Sequence, residues 1–191
     1  MALERLLNDI RHCRICEGSL PLEPRPVLSA AETATLLIVG QAPGTRVHET
    51  GIPWNDPSGD RLRQWLELDK SVFYDTRRIA ILSMGFCYPG KGKSGDLPPR
   101  PECAYHWREK LHRQLPNIRL TLLIGQYAQR YYLAERFTSL TETVRAWQAF
   151  QPDYIPLPHP SPRNNIWLRR NEWFAQELLP VLKKQVHQLI K

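Results

Sequence analysis

The stretch that decides the fold is Leu36-Leu-Ile-Val-Gly-Gln-Ala-Pro-Gly44. Its first four residues form a continuous apolar run that ends in glycine, which is the pattern of a strand buried on both faces of a parallel sheet. Glycine and proline then follow directly, as in a turn that leads the chain out of a strand. Neither Gly-x-Gly-x-x-Gly nor Gly-Lys-Ser/Thr occurs here, so the turn is not a dinucleotide fingerprint or a P-loop.

Apolar runs further along the chain predict three more strands, at 79–83, 120–125 and 154–157. Helical patterns predict helices at 3–13, 58–68 with Ser58 as N-cap, 104–115, 126–134, and 171–191 with an interruption at Pro180. The segment 84–102 carries four glycines and four prolines and is predicted to be a loop. This alternation predicts a three-layer α/β/α fold with a central, mostly parallel four-stranded sheet, formed by a single domain over 1–191.

Composition narrows the class of protein and of partner. The chain has 191 residues, a formal net charge of +7 and apolar runs too short to cross a membrane. A basic surface attracts polyanions such as nucleic acid. The N-terminus resembles neither a signal peptide nor a transit peptide. We therefore predict a cytoplasmic protein with no membrane partner and, in the absence of a heptad seam, a monomer.

Most of the unusual chemistry follows the predicted strands. In α/β folds with parallel sheets, ligands bind at the carboxyl ends of the strands. Four segments are predicted to meet at that edge: 40–44, 83–87, 125–126 and 158–164. The last of these reads Pro-His-Pro-Ser-Pro-Arg-Asn, in which three prolines fix the backbone around His159. Such a loop presents imidazole, hydroxyl, guanidinium and amide groups that suit recognition of a base or a phosphate.

The four cysteines of the chain are Cys13, Cys16, Cys87 and Cys103. The first two form Cys-x-x-Cys, a spacing that brings two thiolates to one metal centre. A disulfide framework does not suit a reducing compartment. Four thiolates fit either structural zinc or an iron–sulfur cluster, and ligand type alone does not separate the two.

These segments together resemble the uracil-DNA glycosylase superfamily. The first motif, at 40–44, is similar to its Gly-x-x-Pro-Gly loop, and His-Pro-Ser-Pro-Arg-Asn is similar to the His-Pro-Ser loop of the single-strand-selective branch. The cysteine layout resembles the thermostable branch called family four, which holds a 4Fe–4S cluster. The resemblance runs from Cys13 to Asn164. It implies an enzyme of base excision repair, a monofunctional DNA glycosylase that removes uracil or another altered base from single- or double-stranded DNA.

The resemblance also implies a role for each matching residue. The cluster ligands would be Cys13, Cys16, Cys87 and Cys103. The base would be contacted by residues of three strand-end segments, with Gln41 and His159 as the catalytic pair and Ala42, Trp54 and Ser83 as base-binding residues. The DNA-binding residues would be Ser161, Pro162, Arg163 and Asn164.

Two positions depart from the family pattern. Ser83 stands where the related branches read uracil with asparagine, and serine lacks the paired donor and acceptor of an amide. Gln41 stands where family four has glutamate, and no aspartate lies in this loop, so Asp56 and Asp60 are the nearest substitutes. These departures keep a second hypothesis open, a glycosylase-fold module that binds single-stranded or damaged DNA without cutting it. A third is a zinc-stabilised protein unrelated to DNA.

Overall fold

The computed structural model describes residues 2–93, 95–133 and 138–191. The α-helices of these residues are α1 (Ala2–Arg11), α2 (Thr45–Thr50), α3 (Pro57–Leu66), α4 (Lys70–Phe73), α5 (Pro101–Arg113), α6 (Gln126–Leu133), α7 (Leu140–Arg145), α8 (Asn165–Arg170) and α9 (Leu179–Leu189). The strands are β1 (Leu36–Val39), β2 (Ile79–Ile81), β3 (Lys91–Gly92), β4 (Gly95–Asp96), β5 (Leu120–Ile124) and β6 (Tyr154–Leu157).

The central sheet has the order β2-β1-β5-β6, and every pair in it is parallel. The chain runs from β1 to one side of the sheet and then returns to β5 on the other side. The carboxyl ends of β1 and β5 therefore lie at a topological switch point, where the connections diverge and leave a crevice. Pro156 is tolerated in β6 because this strand lies at the edge of the sheet.

Both faces of the sheet are covered, which confirms the predicted three layers. Alternate side chains of β1 go to opposite faces. Leu36 and Ile38 join a buried cluster with side chains of α3 and α9, whereas Leu37 and Val39 join a second cluster with side chains of α1 and α5. This burial on both sides explains why the strands read as unbroken apolar runs. No helix within the described residues is long and apolar enough to span a bilayer.

The predicted helices form, with differences at their ends. Ser58 is not the N-cap of α3. Asp56 is, and its Oδ1 accepts a hydrogen bond from the backbone N–H of Gly59 at 2.7 Å. The cause is Pro57, which favours the first helical position and places the cap two residues before Ser58. The predicted end of α6 at Ala134 lies outside the described residues. The C-terminal helix is interrupted by a π-helical turn at Phe174–Leu178, with Pro180 in the first turn of α9.

The segment 84–102 is not wholly a loop, contrary to the prediction. It contains the hairpin β3–β4, in which Lys91 pairs with Asp96 and Gly92 with Gly95. Two-residue strands are too short to produce an alternating pattern in the sequence. Glycine on both strands makes the tight reversal possible, since Gly95 has a φ of 154°.

Candidate active site

A cavity of about 610 Å³ opens at the carboxyl ends of the sheet strands. Its walls come from the segments that follow β1, β2, β5 and β6, together with the entry to α3 and strand β4. All but one of the residues predicted to bind base or DNA line it: Gln41, Ala42, Trp54, Ser83, His159, Ser161, Arg163 and Asn164. Pro162 does not line it and is exposed.

The loop after β1 is fixed by the segment after β2. The backbone carbonyls of Gly40 and Gln41 accept hydrogen bonds from the N–H groups of Met84 and Gly85, at 2.8 and 2.9 Å. The side-chain amide of Gln41 donates to the backbone carbonyl of Leu97 at 2.9 Å. Gln41 therefore ties this loop to the segment that follows the hairpin, in addition to lining the cavity.

Trp54 forms one wall of the cavity and also belongs to the core. It is 8% exposed and sits in the same buried cluster as α3 and α9. Its φ is 56°, a left-handed conformation that is unusual for a bulky side chain and occurs where the surroundings enforce it. Here Arg63 donates a hydrogen bond to its carbonyl, and Gly59 leaves that carbonyl the space it needs. The indole is thereby held 5.6 Å from the ring of His159, between ring centroids.

The His-Pro-Ser loop is held by hydrogen bonds at several points. Asn164 donates from its amide to the carbonyl of His159 at 2.7 Å, and Arg61 of α3 donates to the carbonyl of Ser161 at 3.0 Å. Ser161 accepts from the backbone N–H of Arg163, which starts a short 3₁₀ turn. Asn164 therefore braces the loop as well as lining the cavity. Sequence reasoning missed Arg61, because its partner is a backbone carbonyl one hundred positions away and no side-chain pattern marks such a pairing.

The surroundings of His159 favour the neutral form of its imidazole. Burial lowers the pKa of its imidazole, and the carboxylate of Asp56 opposes this effect only in part. A neutral ring keeps one N–H donor and one acceptor. Since His159 lines the cavity, a neutral ring at this position is suited to donate to negative charge on a ligand without carrying positive charge itself.

The backbone at Ser83 is fixed from behind by a buried arginine. Arg108 of α5 is 1% exposed and donates to the carbonyls of Leu82, at 3.1 Å, and of Ser83. Its guanidinium also lies over the ring of Phe86, 5.8 Å from the centroid. The hydroxyl of Ser83 is thus held at the cavity by a rigid strand end.

Two carboxylates line the cavity, Asp56 and Asp96. Asp56 caps α3, whereas Asp96 comes from β4, so sequence reasoning missed it together with the hairpin. Burial raises the pKa of Asp96; Arg163 opposes this, Asp56 adds to it, and Lys91 opposes it. Asp60, the other predicted substitute, does not line the cavity and instead pairs with Arg63 at 2.6 Å.

The four cysteines line one small, separate pocket. Its other walls are apolar and come from Leu20, Pro24, Pro26, Phe86 and Trp107. None of the four is in a disulfide. Burial, aided by nearby cysteine sulfurs, raises the pKa of Cys87 to about 12 and that of Cys103 to about 11. The structure thus brings together the four thiols that the sequence separates by ninety positions.

The spacing of these thiols bears on which group they fit. In the described part of the chain, no three His, Cys, Asp or Glu side chains are placed to hold a single metal ion. A zinc ion needs four sulfurs at about 2.3 Å from one point. In a 4Fe–4S cluster each cysteine ligates a different iron, so the sulfurs lie further apart. Four convergent thiols with apolar walls fit the donor set of either group.

The fold and the cavity define an α/β protein with a ligand site at the switch point of its sheet. A family model described as the Uracil DNA glycosylase superfamily matches residues 27–183. The chain belongs to that superfamily, whose members act on DNA, and this argues against the hypothesis of a protein unrelated to DNA.

One solved structure is similar at a lower level. It is a solution NMR structure of a protein from Methanosarcina acetivorans, provisionally assigned as a uracil DNA glycosylase. The identity is 14%, the TM-score is 0.48, and the match covers 83% of this chain and 97% of the other. The family assignment therefore rests on the family model alone.

Proposed function

We propose that this protein is a DNA glycosylase that flips uracil or another deaminated or modified base out of DNA and hydrolyses its glycosidic bond. The observation that carries the proposal is the convergence of His159, Trp54 and Ser83 on one cavity in a member of this superfamily. A base inside a duplex is out of reach of such a cavity, so it must first be unstacked and extruded.

The proposed chemistry follows from the charges that develop as the bond breaks. The sugar becomes oxocarbenium-like, and the departing base becomes an anion. The N–H of the neutral His159 ring donates to that anion, as an oxyanion-hole donor does, for about 3–4 kcal/mol of barrier. Trp54 provides an apolar surface for stacking against the base, and the hydroxyl of Ser83 reads its edge.

The rim of the cavity supplies the proposed contacts to DNA. Arg163 is exposed, and Ser161 and Asn164 line the rim beside it. A guanidinium and short polar side chains at such a position suit phosphate oxygens. Pro162, which lies outside the cavity lining, is exposed at the start of the 3₁₀ turn and is proposed to contact the groove beside the extruded nucleotide.

We further propose that Cys13, Cys16, Cys87 and Cys103 hold a 4Fe–4S cluster. The support is their convergence on one apolar pocket. Bound there, the cluster would link α1, the segment after β2 and the start of α5. Its contribution in this proposal is structural.

The test of the function is base release. Anaerobically purified protein is incubated with single- and double-stranded oligonucleotides that carry uracil, hypoxanthine or xanthine, and abasic sites are then cleaved with alkali. We expect release of at least one base, slowed about 10²–10³-fold by His159→Ala because a charge-stabilising donor is removed. The control is His12→Ala, which changes an exposed histidine on the far side of the Cys-x-x-Cys segment.

A second outcome would favour the binding-module hypothesis. The side-chain amide of Gln41 already donates a hydrogen bond to the carbonyl of Leu97. The side chain of Ser83 is short and lacks the paired donor and acceptor of an amide. If no base were released but DNA were bound with a steep dependence on salt, the protein would be a binding module. Full activity in His159→Ala would contradict the mechanism itself.

A further inference from the structure

The geometry points to Asp96 as the carboxylate that activates the hydrolytic water and faces the sugar of the extruded nucleotide. This inference rests on the proposed function. The first motif carries no aspartate, so a hydrolytic glycosylase of this sequence needs a carboxylate from another part of the chain. Of the described carboxylates, only Asp56 and Asp96 line the cavity.

The position of Asp96 over the first motif distinguishes it from Asp56. A Cβ built on Gly44 would lie 3.4 Å from Asp96 Oδ2, so this carboxylate is in near contact with the end of the motif. The next residue, Leu97, accepts the hydrogen bond from the Gln41 side chain at 2.9 Å. The hairpin therefore delivers a carboxylate to the loop that lacks one.

Asp56 is committed to a structural role. Its Oδ1 accepts the N–H of Gly59 and caps α3 at 2.7 Å. For Asp96 the described residues supply no hydrogen bond to the carboxylate. It is exposed at the mouth of the cavity, where docked DNA would exclude the surrounding water.

The charged groups around Asp96 suit a base that works at neutral pH. Burial and the carboxylate of Asp56 raise the pKa of Asp96, whereas Arg163 of the His-Pro-Ser loop and Lys91 on the paired strand lower it. The net result is a raised pKa. A raised pKa makes a carboxylate a stronger base, so it takes a proton more readily than an unperturbed one.

The step balances as a hydrolysis. The glycosidic C1′–N bond breaks, and its electron pair leaves with the base as an anion held by the His159 N–H. The oxygen of a water molecule forms a bond to C1′, and one proton of that water passes to Asp96. The anionic base takes up a proton from solvent, and Asp96 returns its own proton to solvent. The products are the free base and an abasic sugar.

The matched variants are Asp96→Asn and Asp56→Asn. Both keep the shape of the side chain, and asparagine retains N-cap function at position 56. Single-turnover release of the base is measured for each variant with the substrate that the wild type cleaves. We expect Asp96→Asn to slow release about 10²–10³-fold, the size of a general-base contribution, with little change in Kd for DNA. Asp56→Asn removes a charge from the cavity lining but keeps the N-cap of α3, and it should slow release much less than Asp96→Asn does.

A second measurement does not depend on turnover. DNA that carries a cationic pyrrolidine in place of the nucleotide is compared with DNA that carries a neutral tetrahydrofuran. If Asp96 faces the sugar, the wild type prefers the cationic form about tenfold, because a carboxylate attracts a nearby positive charge. Asp96→Asn should lose this preference, and Asp56→Asn should keep it.

The outcomes separate the two proposals. Unchanged release and unchanged cation preference in Asp96→Asn would overturn the role of Asp96 and leave the glycosylase intact. The same holds if Asp56→Asn is the slow variant. If the wild type releases no base, the glycosylase proposal fails, and the cation preference alone decides whether Asp96 faces the sugar.

Discussion

The cavity and the cysteine pocket share one stretch of the chain but have opposite characters. The cavity is open, and two carboxylates, a histidine and an arginine line it. The cysteine pocket is small and apolar apart from its sulfurs. The first has room for a ligand that comes and goes, whereas the second suits a group that stays and holds the chain together.

The two regions share the connection between β2 and α5. Ser83 and Asp96 of this connection face the cavity, whereas Cys87 and Cys103 face the cysteine pocket. Along the chain, successive residues therefore face the cavity, the cysteine pocket, the cavity again and the cysteine pocket again. If the proposed cluster is bound, it restrains the backbone on both sides of the hairpin that carries Asp96.

The largest expected effect comes from breaking the cysteine pocket. If the proposed cluster is present, Cys103→Ser should lose iron and lower the free energy of unfolding by more than about 4 kcal/mol. Base release should fall with it, because one anchor of the hairpin connection is lost. Iron analysis, thermal unfolding and base release measure this. Leu20→Ala is the control, since Leu20 lines the same pocket without a sulfur and the variant should keep its iron. Full iron content and an unchanged Tm in Cys103→Ser would contradict the prediction.

A somewhat smaller effect is expected from a change beneath the cavity wall. A Cβ at Gly59 would lie 1.7 Å from the carbonyl oxygen of Trp54, and that oxygen belongs to backbone, so α3 must shift. We expect Gly59→Ala to lower the free energy of unfolding by about 3 kcal/mol and the Tm by about 6–12 °C. It should weaken DNA binding while the iron content stays the same. Gly18→Ala is the matched control, because a Cβ there has no atom within 4 Å. A Tm equal to that of wild type would contradict this prediction, because it would mean that α3 shifts without any loss of stability.

The smallest effect concerns the pH dependence of stability. Burial lowers the pKa of His159 in the folded protein, whereas an unfolded histidine titrates near about 6.5. Below that pH the unfolded chain takes up a proton that the folded chain does not, so stability falls as the pH falls. The loss ends once the folded imidazole is protonated as well. The free energy of unfolding of His159→Gln should therefore fall less steeply between about pH 7 and pH 5 than that of wild type. Denaturant titrations test this, with His12→Gln as control; equal slopes for His159→Gln and wild type would refute it.

How far the sequence predicts the molecule differs between its parts. The central strands follow from apolar runs such as Leu36–Val39, because burial on both faces excludes polar residues. Gln41 and His159 follow as cavity residues because they stand directly after strands. Asp96 does not follow, since its hairpin has strands of only two residues. Arg61 and Arg108 were missed for another reason. Their partners are backbone carbonyls, and any residue supplies a carbonyl, so no side-chain pattern marks the pairing.

Arg108 has a consequence for how this site changes over time. Its buried guanidinium occupies the carbonyls of Leu82 and Ser83 from behind. The end of β2 therefore stays in place whatever side chain position 83 carries, and a ligand meets that side chain alone. At this position the backbone serves the fold, and the side chain alone contacts the ligand. If Ser83 reads the base as proposed, a single substitution at position 83 can change which base is recognised. The fold is kept, because Arg108 and not the side chain at position 83 holds this backbone in place.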